Sequence, residues 1–167
     1  MSERIDTLAL IHQACWQALS QAASQRDHPF RLMGLATVDG DSADLRAVVL
    51  REVEVDQCKL IFFTDARSPK VGQMRRQPAG TLMVWHQSLG WQLRLRVLLS
   101  VQTDGLAVSS RWARLKMSPA AQDYLSPLPP GAPLQQPQPE RTTRGQFAVV
   151  SAQVQSIDWL ELHAEGQ

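Results

Sequence analysis

Trp91-Gln92-Leu93-Arg94-Leu95-Arg96-Val97-Leu98-Leu99-Ser100-Val101 alternates along its whole length. Trp91, Leu93, Leu95, Val97, Leu99 and Val101 fall on one side of an extended chain; Gln92, Arg94, Arg96, Leu98 and Ser100 fall on the other. Successive side chains of a strand point to opposite faces, so this stretch is a strand with one buried face. Upstream, Phe30–Val38, Leu45–Val53, Cys58–Thr64 and Thr81–Trp85 also read as strands. Asp39-Gly40-Asp41-Ser42 and Asp56-Gln57 supply turns between them. Downstream, Gln146–Gln155 and Ile157–Leu162 return to strand character. Five to seven strands on mostly short turns predict a mainly β (β+α) fold, a small antiparallel barrel with peripheral helices.

The helices are legible by period. Leu8, Ile11, Cys15, Leu19 and Ala22 recur at spacings of three and four, giving an amphipathic helix from Ile5 to about Ser24 that Arg26-Asp27-His28-Pro29 ends. Thr64-Asp65-Ala66-Arg67-Ser68-Pro69-Lys70 closes a strand and opens a second helix, with Ser68 as N-cap and Pro69 at the first helical position. That helix runs to about Arg76, and Gln77-Pro78-Ala79-Gly80 stops it. Asp104 to about Leu115 is a third, and Ser118-Pro119 begins a short fourth through Leu125. Six prolines between Ser126 and Gln146 allow neither helix nor central strand, so that stretch reads as an extended surface arm.

Of the 167 residues 44% are hydrophobic and 20% charged, which is globular composition. Seventeen Lys and Arg against 16 Asp and Glu leave a formal charge of +1, with no basic excess for nucleic acid or a membrane surface. Cys15 and Cys58 are too few for a disulfide scaffold or a zinc finger. Met1-Ser2-Glu3-Arg4-Ile5-Asp6 is not a signal peptide, and no apolar run approaches the ~20 residues of a membrane span. The expectation is a cytoplasmic protein.

Arg46, Arg51, Arg67, Ser68 and Lys70 are the first candidates for chemistry. A helix start offers backbone N–H groups and positive potential, and Thr64 and Ser68 add hydroxyls, so this junction reads as a cradle for a phosphate monoester. The bland alternative is a set of solvated surface cations. Arg46 and Arg51, five residues apart, fall on opposite faces of a regular strand and meet one pocket only through a bulge or an end effect. Gln92, Arg94 and Arg96 form a polar face that suits either a half-exposed strand or the wall of a planar ligand site. Trp85, Trp91 and Trp112 are read first as core or interface packing. The four histidines form no metal-ligand pair, and nucleophile-elbow, dinucleotide-binding and phosphate-loop signatures are absent.

Arg46-Ala47-Val48-Val49-Leu50-Arg51, Phe62-Phe63-Thr64-Asp65 with Arg67-Ser68-Pro69-Lys70, and Gln92 within Trp91–Arg96 resemble, in order and spacing, the pyridoxamine 5'-phosphate oxidase family. The resemblance covers roughly Pro29 to Leu125 and includes Gln77-Pro78. It implies an FMN-binding split barrel over residues 1–167, with an N-terminal helix in 1–28, a proline-rich arm at 126–146 and C-terminal strands in 147–163. It implies a homodimer with FMN at the subunit interface and a small-molecule substrate. Carried over residue by residue, Arg46, Ala47, Val48, Val49, Leu50 and Arg51 form the strand along the cofactor. Phe63 and Thr64 touch it, Ser68 and Lys70 hold its phosphate with Arg67 assisting, and Gln92 meets the flavin from the other subunit. No catalytic residue is singled out.

Departures from the family pattern bear on the substrate. Pro69 stands where an Arg often precedes the Lys, and Arg51 where the oxidases often carry a substrate-binding Lys. Arg51, Trp112, Arg114 and Lys116, with Ser118 nearby, occupy the substrate neighbourhood. Asp158-Trp159-Leu160-Glu161-Leu162-His163 stands in place of a Trp followed by an Arg-x-His-x-Arg-type segment, with no Arg or Lys after Arg144. The implied function is hydride transfer from a substrate to FMN, with reoxidation by oxygen or another acceptor. A flavin- or haem-related reductase on the same fold, a non-catalytic FMN-binding protein and a nucleic-acid-binding barrel are the alternatives.

Overall fold

The computed structural model describes residues 6–119 and 146–162. Its strands are β1 (Leu32–Asp39), β2 (Ser42–Glu54), β3 (Lys59–Asp65), β4 (Ala79–His86), β5 (Trp91–Gln102) and β6 (Phe147–Glu161). They close into an antiparallel barrel in the order β1-β2-β3-β6-β5-β4, with β4 pairing β1 to complete the ring. Among the described residues three α-helices lie outside the barrel wall: α1 (Leu8–Ser24), α2 (Pro69–Arg76) and α3 (Leu106–Leu115). The proline-rich arm expected at 126–146 lies, except for Gln146, outside the described residues. So does most of the short helix expected from Ser118. The two strand segments expected at the C-terminal end are one strand. Arg96 faces Ser156 and Val97 faces Val154, so Gln155 is an extra residue that bends β6 between them.

The alternation of β5 places its odd-numbered side chains inward, where Leu93 and Leu95 are fully buried. Phe30, Met33, Leu35, Leu50, Phe62 and Leu82 join them in the core. β3 is apolar on both faces because both are covered. Leu60 and Phe62 point inward; Ile61 and Phe63 point outward against Val108, Trp112 and Leu115 of α3. Between β2 and β3 a turn of 3-10 helix (Val55–Gln57) replaces a tight hairpin, and Cys58 takes a left-handed conformation at φ 52°.

α1 and α2 pack toward opposite ends of β1. α1 buries Cys15, Trp16, Leu19 and Ala22. Arg31, just before β1, donates to the carbonyls of Ala22 and Ala23 (3.2 and 3.0 Å), placing a cation at the negative end of the helix. Thr37, near the far end of β1, bonds to Gln73 of α2. Burial pushes the Cys15 thiol up to about 11. No helix among the described residues is long and apolar enough to cross a membrane.

Gly90 ends the turn between β4 and β5 at φ 65°, with the Leu162 carbonyl where a Cβ would stand. Its own carbonyl accepts the Leu162 N–H at 2.7 Å, tying the end of β6 to this turn. Two histidines brace the same end. The Phe30 N–H donates to His28 Nδ1 (3.0 Å) and the Leu89 N–H to His86 Nδ1 (3.3 Å). The two imidazoles meet edge to face at 5.8 Å.

His28 is therefore an acceptor at Nδ1, which favours its neutral form. Desolvation and the neighbouring His86 lower the His28 pKa from 6.5, with Asp27 opposing. A His with a lowered folded pKa binds fewer protons folded than unfolded just below 6.5, so stability is complete above that value and falls as pH drops through the window beneath it. The melting temperature is expected to fall by several degrees from pH 7.5 to pH 5. His28→Asn, whose carbonyl accepts the same N–H without titrating, is expected to shrink that fall. An equal fall in both proteins would remove His28 as its cause.

Candidate functional site

Two groups of cations sit at the two ends of the Arg46–Arg51 segment of β2. The first surrounds the β3–α2 junction. Ser68 occupies the N-cap position, but its side chain makes no capping bond; its Oγ accepts from Lys70 Nζ at 2.9 Å. Pro69 has no N–H and the Val71 N–H donates to the Ser68 carbonyl (3.0 Å), so Lys70 is the residue of the first turn that keeps a backbone donor without a backbone acceptor. Arg67 folds back on the buried Asp65, with Nη2–Oδ2 at 2.6 Å and Nε–Oδ1 at 2.9 Å. Lys70 makes no ion pair among the described residues. Desolvation first, then the nearby Arg46, lowers its pKa from 10.5, and Asp65 only partly offsets this.

Arg46, in the first half of β2, reaches toward α2. Its Nη1 donates to the Leu35 carbonyl (3.1 Å) and Thr37 Oγ1 (2.7 Å). Its Nη2 reaches Gln73 Oε1 (3.0 Å) and Asp44 Oδ2 (2.8 Å). The Gln73 amide, bonded to Asp44 Oδ2 at 3.1 Å, and the Arg46 charge hold the Asp44 carboxyl below the usual carboxylate range.

The second group lies on the outer face of β2. Leu50 pairs with Phe62 but Glu52 pairs with Ile61, so Arg51 is an extra residue in the strand. Arg46 shares the inward parity of Val48 and Leu50 and Arg51 faces outward, so the two arginines stay on opposite faces; the bulge instead keeps Glu52 outward and returns Val53 to the interior. The Arg51 guanidinium lies 5.7 Å from the centre of the Phe63 ring, and its Nε is buried without a partner among the described residues. Arg111 of α3 grips Glu52 at the bulge, with Nε–Oε2 at 2.6 Å. Arg51, Glu52, Phe63, Arg111, Arg114, Leu115 and Ser118 line a cleft of about 240 Å³. A larger cavity of about 420 Å³, between α1 and β6, contains none of the sequence-predicted site residues.

The structure thus brings Arg46, Ser68 and Lys70 together at one end, and Arg51, Phe63 and Arg114 at the other. Thr64 is buried on the inner face of β3. Val48 and Leu50 point into the core, leaving only their backbones for a ligand, whereas Ala47 and Val49 point outward between the two groups. Trp112 packs on Phe147, with ring centres 5.3 Å apart, and Lys116 is an exposed residue beyond α3 that does not line the cleft. Gln92 is on the outer face of β5, opposite Trp85. Three strand spacings, roughly 14 Å, separate it from β2 of its own chain, so one chain does not join it to the rest. The outer strip between them is apolar: Leu45 is 71% exposed, Leu32 61% and Met83 44%.

Thr37, Asp44, Glu52, Gln73 and Arg111 were not foreseen. Gln73 carries a faint signal, an uncharged amide three residues after Lys70 and so on its helix face, among charged neighbours. Thr37 and Arg111 reach the site only through strand pairing and the docking of α3, which no local spacing encodes.

Residues 13–103 match the family model "Pyridoxamine 5'-phosphate oxidase, FMN-binding domain". The chain is 32% identical over 117 residues to a pyridoxine/pyridoxamine 5'-phosphate oxidase of Hyphomonas neptunium, an alignment covering 68% of this chain and 52% of that protein. It therefore spans about half the length of that curated relative. A pyridoxamine 5'-phosphate oxidase-related, FMN binding protein of Nostoc punctiforme superposes with a TM-score of 0.71 at 26% identity, over 96% of this chain and 89% of that one. PhzG of Burkholderia lata, solved with tetrahydrophenazine-1-carboxylic acid, shares the fold at TM-score 0.68 and 14% identity, over 94% and 81% of the two chains.

A desolvated cation beside a second cation destabilises a protein that has no anion to bind. Lys70→Met keeps the stem and removes the charge. It is expected to raise the melting temperature of the flavin-free protein by a few degrees and to abolish stabilisation by added inorganic phosphate. A variant that melts lower yet still responds to phosphate would remove Lys70 from the anion site.

Proposed function

The chain belongs to the pyridoxamine 5'-phosphate oxidase FMN-binding family, and from that premise we propose that it is an FMN-dependent oxidoreductase, working as a homodimer on a small anionic substrate. The observation that carries this reading is Lys70, a desolvated cation without a carboxylate partner among the described residues, beside Ser68 and within the field of Arg46. That donor set fits a phosphate monoester, because charge-assisted bonds to a dianion recover what desolvation of the cation costs. Lys70 and Ser68 would bind the FMN phosphate directly. The flavin would lie along the outer face of β2, where Ala47 and Val49 leave a shallow apolar bed. Between Arg46 and Arg51 an extended chain spans roughly 17 Å, room for a long cofactor with one cation group at each end.

When bound, FMN supplies the redox chemistry, accepting a hydride and passing electrons to oxygen or another acceptor. The protein's part is to bind, orient and exclude water. Gln92 would reach the flavin from a second copy, because it is remote from β2 within one chain. Pairing two copies through the strip of Leu32, Leu45 and Met83 would remove apolar surface from water. In the cleft, Arg51 and Arg114 would hold the anionic group of the substrate, with Ser118 as a further donor. Arg111 is already neutralised by Glu52 and would position α3 rather than bind. A phosphorylated B6 vitamer is the first substrate class to test. The Arg at 51 supports bidentate binding of phosphate or carboxylate alike.

The purified protein, incubated with FMN and desalted, is expected to keep the visible flavin bands at one FMN per chain and to elute as a dimer. A colourless monomer would overturn the proposal. Arg51→Ala and Arg114→Ala are expected to retain FMN while raising KM for pyridoxine 5'-phosphate by roughly 10–100-fold, the equivalent of one charge-assisted hydrogen bond of ~1.5–3 kcal/mol. Unchanged KM in both variants would place the substrate elsewhere.

A further inference from the structure

Gln73 is a side chain that the family resemblance does not single out, and it is 3% exposed. Its amide has one workable orientation. Oε1 accepts from Thr37 Oγ1 (2.6 Å) and from Arg46 Nη2 (3.0 Å), and Nε2 donates to Asp44 Oδ2 (3.1 Å). A flipped amide would set its N–H groups against the Arg46 guanidinium and its oxygen against the Asp44 carboxylate. Thr37 is equally committed, since its hydroxyl accepts from Arg46 Nη1 and spends its hydrogen on Gln73. Arg46, Thr37 and Gln73 therefore form a closed ring of hydrogen bonds, and Asp44 closes a second ring on Arg46 and Gln73.

The hydrogen count on Arg46 has a chemical consequence. Its four terminal N–H hydrogens are matched by four acceptors: the Leu35 carbonyl, Thr37, Gln73 and Asp44. The fork that arginine ordinarily offers to phosphate is taken up inside the protein. What Arg46 still offers an incoming anion is its charge and the single Nε–H.

We propose that Gln73, acting with Thr37, is the positioning residue that locks Arg46 into the wall of the anion cradle as a fixed charge, and that this lock sets the preference for phosphorylated over unphosphorylated flavin. The inference rests on the FMN reading above. Without the amide, Asp44 is the one side chain left holding Nη2. Its side chain is 48% exposed, so the guanidinium follows it toward solvent and its field leaves Lys70 and Ser68. The phosphate-dependent part of flavin affinity is then lost, while contacts to the ring system are untouched.

Gln73→Met tests this, because the thioether matches the amide in shape and makes none of its hydrogen bonds. Flavin-free protein is titrated with FMN and with riboflavin, which lacks the phosphate, by quenching of flavin fluorescence. The unaltered protein is expected to prefer FMN by roughly 100-fold, the worth of one or two charge-assisted bonds. In Gln73→Met that ratio is expected to fall about tenfold or more, with riboflavin affinity within about twofold of the original. Thr37→Val, which loses only a hydroxyl, is expected to lower the ratio in the same direction, and it decides the matter if Gln73→Met does not fold. The double variant is expected to be no worse than the poorer single one, as for groups acting in one network. An unchanged ratio in the folded variants, or equal loss of both flavins, overturns the role of Gln73 while leaving FMN binding intact. An unaltered protein that binds FMN no better than riboflavin overturns the phosphate cradle itself.

Discussion

β2 has to serve two surfaces at once, and one inserted residue allows it. Val48, Leu50 and Val53 all belong to the barrel interior, although a strict two-residue period would turn Val53 outward. The bulge at Arg51 absorbs the difference. It leaves Arg51 and Glu52 both on the outer side, where Arg51 meets Phe63 and Glu52 meets Arg111. Without it, the strand beyond residue 50 would turn a glutamate into the core, and an unpaired buried carboxylate costs several kcal/mol. The cleft on the outer face is therefore a by-product of keeping the core in register. The docking of α3 depends on the same bulge, since Arg111 is its polar link to β2.

At the other end of β2, charge is nearly but not fully balanced. Asp65 is spent on Arg67 and Asp44 on Arg46. The third cation, Lys70, has among the described residues a hydroxyl partner and no carboxylate. A surplus of one positive charge in a partly desolvated place, held by groups that are already rigid, is a preorganised anion site, because little reordering remains to be done when the anion arrives. Asp44 and Gln73 give this arrangement its stiffness, and the exposed Arg94–Asp158 pair on β5 and β6 contributes little by comparison.

Much of this could be read along the chain. The alternation of Trp91–Val101 predicts its strand to within one residue, and the odd spacing of Arg46 and Arg51 puts them on opposite faces of β2, where the structure has them. The break expected at Ser156 marks the bend at Gln155, although it looks from sequence like the gap between two strands. Ser68 and Pro69 locate the start of α2, because a proline at the first helical turn is a local signal. What Ser68 does with its hydroxyl is not local: Lys70 takes it instead of a capping N–H. Thr37 and Gln73 are 36 residues apart and look unremarkable in their own segments. Their bond exists because the closed barrel lays α2 across the end of β1, and closure is a property of all six strands together.

The burial of Cys15 acquires a meaning from the chemistry proposed along β2, the strand on which α1 packs. A thiol with a pKa of about 11 is a thiolate in roughly one molecule in ten thousand at neutral pH. Oxidants attack the thiolate, so a side chain packed between α1 and the barrel is close to inert toward peroxide. The transfer of electrons to oxygen proposed above would make such an oxidant beside the protein itself. With Cys15 1% exposed, the core keeps a soft, polarizable atom that solvent barely reaches.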